Sequence, residues 1–198
     1  MSRFKLTVLG FLGFIVMLSV IRVSVAQATS NDQFRWDLIS VNFATGTVSA
    51  GGHDSAKAND GSKITLTGSG TFRSNSGNPQ DVTGGGTWET FDSFGVSSGR
   101  GTYEVTGFVS FTLADGTFPL TTDNIGNKAD ARAGLAVLQT AFSDGSEGVL
   151  TVSCHITGTP DSVFEGITMT KGFVDYWNRQ APPAPPGNAN RTVFHDLD

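Results

Sequence analysis

A period-two alternation of apolar and polar residues is the feature that most constrains this chain. Between Ile64 and Arg73, apolar residues and glycine occupy every second position, and hydroxyl or basic side chains stand between them. The segment from Tyr103 to Leu113 repeats the pattern, with Phe108 as the one apolar residue on its polar face. Such alternation is typical of antiparallel strands with one buried face. The chain is therefore predicted to be all-β.

Glycine spacing indicates how these strands are arranged. A Gly-Thr-aromatic triplet recurs from Gly70, Gly86, Gly101 and Gly116, at intervals of 16, 15 and 15 residues. These intervals fit strands of about eight residues joined by loops of about seven, and a glycine beside an aromatic ring is typical of strongly curved sheets. Turn-forming pairs such as Asp144-Gly145 separate the strands. We expect a single antiparallel β-barrel or strongly curved β-sandwich of about eight strands.

Two segments depart from simple alternation. Apolar residues between Phe34 and Phe43 move from even to odd positions after Leu38, which predicts a β-bulge between Leu38 and Ile39. Residues 129–142 also have apolar side chains at helical spacing, so both strand and helix are compatible with them. A glycine inside this second segment and a hairpin signal directly after it favour the strand.

Residues 1–28 have the organisation of a cleavable secretory signal. Two basic residues precede an apolar run from Leu6 to Ile21, and this run of about 16 residues is short for a membrane-spanning helix. Small side chains predict cleavage after Ala28, and cleavage after Ala26 fits nearly as well. An uncleaved anchor is the alternative. We expect an exported protein, secreted or periplasmic.

The mature chain is expected to consist of a β domain at residues 29–179 and a proline-rich extended segment at residues 180–198. Four prolines near the start of that segment cannot donate hydrogen bonds to a sheet. The residues after the prolines either return to the β domain through Val193 and Phe194 or fray. The sequon at Asn190 is expected to be accessible.

Charge limits the partners of the mature chain. Signal cleavage removes three of the 13 basic residues and none of the 18 acidic ones, so the net charge becomes 10 − 18 = −8. An acidic surface repels phosphate backbones and anionic lipids. Neither nucleic acid nor, after cleavage, a membrane is an expected partner.

Cys154 is the single cysteine, so no internal disulfide can stabilise the fold. It shares a strand face with Leu150, Val152 and Ile156. A free thiol on an apolar face is expected to be buried and structural.

The aromatic residues suggest a binding function. A barrel of about eight strands is just wide enough to be filled by side chains or to hold one small ligand. Trp36, Trp88, Tyr103 and Trp177 combine flat apolar faces with a polar edge, which suits a small apolar or aromatic ligand. We therefore expect an exported non-catalytic barrel protein without a cofactor, and a solid core is the alternative to a ligand cavity.

Two other functions remain open on the sequence. His53, Asp54 and His155 could meet around a metal ion, as in a secreted metal-dependent enzyme. The sequence has no Gly-x-Ser-x-Gly or His-Glu-x-x-His motif, so we assign no catalytic residue. A purely structural role at the cell surface or outside the cell is the remaining alternative.

Overall fold

The computed structural model describes residues 32–198, and these contain strands and turns but no helix. The predicted signal sequence and its cleavage site lie outside the described residues. Among residues 32–198, no helix is long and apolar enough to cross a membrane. The prediction of an all-β fold is confirmed.

Residues 32–198 form fourteen strands. In chain order they are β1 (Gln33–Asn42), β2 (Thr47–Ala50), β3 (Asp54–Lys57), β4 (Lys63–Leu66), β5 (Ser69–Arg73), β6 (Val82–Phe91), β7 (Ser97–Ala114), β8 (Thr122–Asp123), β9 (Ala131–Phe142), β10 (Glu147–Cys154), β11 (Gly166–Lys171), β12 (Val174–Tyr176), β13 (Asn178–Arg179) and β14 (Thr192–Asp196).

Six of these strands close into an antiparallel barrel. Their order around the ring is β1-β5-β6-β7-β9-β14, and β14 pairs again with β1. The closing strand β14 comes from the chain after the prolines, where Phe194 lies opposite both Trp36 of β1 and Arg132 of β9. The sequence allowed the chain end either to return to the β domain or to fray, and in the structure it returns. The predicted barrel is confirmed.

Six of the other strands continue the sheet beyond this ring. β4 and β3 continue the sheet from β6, while β10 and β11 continue it from β9. β12 pairs with β11 and β13 pairs with β3, and only Trp177 separates these two short strands. The two ends of the sheet are therefore next to each other in the chain.

The ambiguous segment at residues 129–142 is a strand, as favoured. β9 pairs with β14 through Ala131 and Arg132, then with β10 from Gly134 to Ala141, and with β7 along its other edge. The predicted face of β10 is also confirmed, because Cys154 is fully buried in the main core.

The bulge predicted after Leu38 is wrong. The ladders of β1 with β14 and β5 before this point, and with β2 after it, keep a regular register. The even positions of β1 face the barrel interior, whereas Ile39 and Val41 on the other side belong to a second, smaller core with Val48. Both faces of the strand are buried, so its apolar residues can move from even to odd positions without a bulge.

The alternation predicted that one face of β7 is buried along its whole length, and this prediction is wrong for the second half of the strand. The pairing with β9 shifts register between Val105 and Gly107 and again between Phe108 and Ser110. Phe108 consequently packs against the core, although the alternation placed it on the polar face. Val109 is 52% exposed for the same reason.

Candidate functional site

The predicted ligand-binding aromatics do not form one site. Trp36, Trp88 and Tyr103 are buried in the main core, whereas Trp177 lies on the surface with 69% of its area exposed. The Trp88 indole donates to the carbonyl of Thr102, and the Tyr103 hydroxyl donates to the carbonyl of Thr67. The structure thus brings three of the four together as packed core. Their role in ligand binding stays a prediction.

Glycines make room for these rings, as the triplets suggested. In the β6–β7 ladder, Trp88 lies opposite Gly101 and Tyr103 lies opposite Gly86. A Cβ atom added at Gly101 would lie 3.0 Å from the Trp88 Nε1 atom. The barrel interior is filled by aromatic rings packed over bare backbone.

The predicted metal residues have different hydrogen-bond partners. His53 is exposed, and its backbone carbonyl accepts from the amide of Asn190. The His155 Nδ1 atom lies 2.8 Å from the carbonyl oxygen of Val163. In the part of the chain that the structure describes, no group of three His, Cys, Asp or Glu side chains could hold a metal ion. The structure therefore gives this site no support.

A pocket on the outside of the barrel combines apolar walls with converging polar groups, and we call it the lateral pocket. Its volume is about 140 Å³. Its apolar lining consists of Ile39, Val41, Phe43, Val48, Phe118, Pro119, Leu120 and Ile156, and its polar lining of His155, Glu165, Arg191 and Thr192. An apolar concavity with a few convergent polar groups is the usual form of a small-molecule site.

One side of the lateral pocket is formed by the segment that joins β7 to β9, residues 115–130, which we call the covering loop. Its Phe118, Leu120 and Ile125 pack against the second core. β8, within this loop, pairs in parallel with β2, and Thr117 bridges Thr157. The loop is thereby fixed over the odd-numbered face of β1.

A buried polar pair anchors the covering loop to the barrel. The Asp123 Oδ2 atom lies 2.7 Å from His195 Nε2, and both side chains are only 2% exposed. The other Asp123 oxygen accepts from the amides of Ile125 and Gly126. Asp123 therefore holds the loop's own turn and its attachment to β14 together.

Glu165 forms part of the polar wall of the lateral pocket. One of its carboxyl oxygens accepts from the amide of His155 at 2.5 Å, and the other accepts from the amide of Thr192 at 2.6 Å. Burial raises the pKa of Glu165 to about 8, opposed by these two amides and by the positive charge of Arg191. The carboxyl is held rigidly at the pocket surface.

Asp54 stands next to this wall. One of its oxygens accepts from the amide of Arg191, while Oδ2 is buried and has no hydrogen-bond partner in the part of the chain that the structure describes. Burial first, and then the nearby charge of Glu165, raise the pKa of Asp54 well above its usual value. Two carboxyl groups with raised pKa values thus lie close to a single guanidinium.

Arg191 is the cationic group of the lateral pocket. Its guanidinium lies 4.9 Å from the centre of the Phe43 ring, and one terminal nitrogen donates to the carbonyl of Pro183. The Nε atom is buried and has no hydrogen-bond partner among residues 32–198. An unpaired buried donor of this kind costs free energy.

Glu165, Arg191, Asp123 and His195 were not among the predicted site residues. They come from three segments that are distant in sequence, since only Arg191 and His195 lie near each other in the chain, and no short motif links them. The expectation of an accessible sequon is wrong as well, because Asn190 is 7% exposed. Its amide oxygen accepts from the Ser55 backbone, and its amide nitrogen donates to the carbonyl of Ala181.

Comparisons with known proteins add no relative. No protein-family model, no curated protein and no solved structure matches this chain.

Proposed function

We propose that this chain is an exported, non-catalytic β-barrel protein that binds a small apolar molecule, and that the molecule occupies the lateral pocket. The observation that carries the proposal is the pocket itself, a concavity of about 140 Å³ between the odd-numbered face of β1 and the covering loop. An engineered apolar cavity of about 150 Å³ holds one benzene molecule. The size therefore suits a single ring or a short branched chain.

The packing of the barrel supports a site outside the ring. Trp36, Leu38 and Phe72 are fully buried in the interior, and Tyr103 is nearly so. The lateral pocket instead has apolar side chains available on both of its sides. Transfer of a ring that buries about 150–200 Å² of apolar surface yields about 4–5 kcal/mol. Binding near the millimolar range is expected on this term alone.

Export is supported by the sequence of residues 1–28 and by the acidic mature chain. N-terminal sequencing of the protein from its own source should give Thr29, or Gln27 for cleavage after Ala26. An intact Met1 in all of the material would count against signal cleavage.

Ligand binding is tested by filling the lateral pocket. Amide chemical shifts of residues 29–198 are recorded by NMR while toluene, indole or cyclohexanone is added. We expect saturable shifts at Val41, Val48 and Leu120 for at least one of these compounds. The Leu120→Trp variant should weaken binding at least tenfold, because its ring occupies the pocket.

Leu113→Trp is the matched control, since Leu113 is 55% exposed at the end of β7 and does not line the pocket. It makes the same chemical change and should leave the affinity unchanged. If no compound shifts the lateral pocket residues, or if both variants bind equally well, the proposal is wrong and a structural role gains support.

A further inference from the structure

A second concave surface lies on the outer face of β10 and β11 and shares no residue with the lateral pocket. Two adjoining hollows there have volumes of about 180 and 400 Å³, and Val149 and Thr170 line both of them. Thr151 of β10 lies opposite Thr168 of β11 on the same face. Trp177 follows β12 and borders the first hollow with 69% of its area exposed. We call the surface formed by these five residues the threonine groove.

The threonine groove has hydrogen-bonding groups that the protein does not use. Thr151 and Thr168 are half-buried, and their side-chain hydroxyls have no partner among residues 32–198. The Thr170 hydroxyl accepts from the amide of Val149 and keeps its own proton for another acceptor. The groove therefore offers unused donors and acceptors next to one exposed aromatic ring.

The charges around the groove restrict what it can bind. Within the described residues, neither hollow is lined by a lysine or an arginine, and Glu147 is the one acidic residue of the lining. Lys171, the last residue of β11, lies on the opposite face, where its ammonium nitrogen is 4.1 Å from the centre of the Trp88 ring. An anionic ligand would gain no ion pair in the groove and would be repelled by the acidic mature chain.

A protein partner suits the groove less well than a hydroxyl-rich molecule. Trp177 and Val149 are the exposed large apolar residues of the groove, and Val149 is only 37% exposed. Specific protein interfaces bury a larger apolar centre than these two side chains provide.

We propose that the threonine groove binds a neutral oligosaccharide, with one sugar ring stacked on Trp177. A pyranose presents C–H groups on its flat faces and hydroxyls around its edge. One face can pack on the exposed indole while the hydroxyls exchange hydrogen bonds with Thr151 and Thr168. Three strand spacings, about 14 Å, separate β12 from β9, whose Gln139 lines the second hollow. This span exceeds the width of one sugar ring, so the groove suits a chain of sugars. The inference adds a second site to the proposed function and does not depend on the lateral pocket.

The test uses the mature protein and four probes of equal length. Three are neutral, the hexamers of β-1,4-linked glucose, α-1,4-linked glucose and N-acetylglucosamine, and the fourth is the anionic hexamer of galacturonic acid. Isothermal titration calorimetry should show saturable binding of at least one neutral probe and weaker binding of the anionic one. Trp177→Ala should weaken the neutral probe about tenfold or more. Thr168→Val, which keeps the shape of the side chain and removes its hydroxyl, should weaken it about threefold.

Phe173→Ala is the matched control, because Phe173 is fully exposed in the neighbouring β11–β12 turn and does not line the groove. It should leave the affinity unchanged. In an NMR titration, the bound probe should shift the amides of Thr151 and Thr168 and not those of Val48 and Leu120 in the lateral pocket.

The inference is wrong if no neutral probe binds, if Trp177→Ala and Phe173→Ala bind equally well, or if the anionic probe binds more tightly than the neutral ones. It is also wrong if sedimentation velocity shows a dimer that Trp177→Ala dissociates, because the groove would then be a contact between two copies of the chain. None of these results decides whether the lateral pocket binds an apolar molecule, which its own titration tests.

Discussion

Replacement of Asp123 by alanine should destabilise the whole protein and open the covering loop. The Asp123 carboxylate does two things in the structure, since Oδ2 contacts His195 and Oδ1 accepts from the amides of Ile125 and Gly126. Alanine removes all three interactions. Neither ring nitrogen of His195 would then have a hydrogen-bond partner within the described residues, because Nδ1 already has none there.

The magnitude follows from burial. Both side chains of the pair are 2% exposed, so the imidazole left behind cannot be solvated without local opening. A buried polar group left without its hydrogen-bond partner costs about 1–3 kcal/mol, and more where the group is charged. The amides of Ile125 and Gly126 add no further cost, because the loosened loop can expose them to water. The expected loss is a large fraction of the 5–15 kcal/mol that is typical of a whole domain.

Asp123→Asn is the matched control. Its side-chain oxygen can still accept from Ile125 and Gly126, and its amide can donate to a neutral His195 ring. Only the charge is lost, so we expect a cost of about 1–2 kcal/mol. The order of stability should be natural sequence, Asp123→Asn, then Asp123→Ala.

Urea unfolding followed by tryptophan fluorescence measures both variants, and amide hydrogen exchange locates the change. Faster exchange should be concentrated in residues 115–130. A loss below about 1 kcal/mol for Asp123→Ala, or equal losses for the two variants, would refute the role of the pair as an anchor of the covering loop.

Three further predictions concern packing and titration. Gly86→Ala should prevent folding or cost more than about 3 kcal/mol, because its Cβ would lie 2.0 Å from the Thr67 carbonyl oxygen. Gly145→Ala is the control, since a Cβ there has free space and only the φ of +84° is unfavourable. It should cost about 1 kcal/mol in the same urea assay. Cys154 should react slowly with a bulky thiol reagent until the protein is denatured, and equal rates in both states would contradict its burial. The pKa of Glu165 is raised to about 8 from 4.5, so its contribution to the unfolding free energy is complete below pH 4.5 and is lost as the pH rises to 8. We expect Glu165 to contribute a decline of about 1–2 kcal/mol, reduced from the full shift because the side chain keeps some exposure. In urea titrations at pH 5 and 8, Glu165→Gln should make the decline smaller by this amount and leave the part that Asp54 contributes.

The local pattern of the sequence predicted the fold class because strand faces are set by neighbours along the chain. Leu150, Val152 and Cys154 alternate with polar residues, and all three are buried together. The same reasoning failed at β7, where Val109 was expected inside. Its register shifts arise from the pairing with β9, which begins seventeen residues after β7 ends. No pattern within β7 itself specifies them.

The candidate site was missed for a related reason. Glu165 is an unremarkable acid in a turn when only its neighbours are considered. Its two backbone donors belong to His155 and Thr192, which are 10 and 27 residues away in the chain. Arg191 reaches the pocket only because β14 returns to the barrel after the prolines. The sequence did not decide whether the chain end returns to the barrel or frays. The polar wall of the lateral pocket could therefore not be predicted from it.

The place of the lateral pocket follows from the size of the ring. Barrels of about eight strands have interiors that are just filled by side chains or hold one small ligand, and the closed ring here has six strands lined by large aromatics. Space for a ligand arises where the covering loop meets the outer face of β1. The energetics of ligand and loop are then coupled, because the loop residues Phe118 and Leu120 line the pocket. A ligand at ten times its dissociation constant should stabilise the closed loop by about 1.4 kcal/mol, and Asp123→Ala, which favours the open loop, should weaken ligand binding through the same equilibrium.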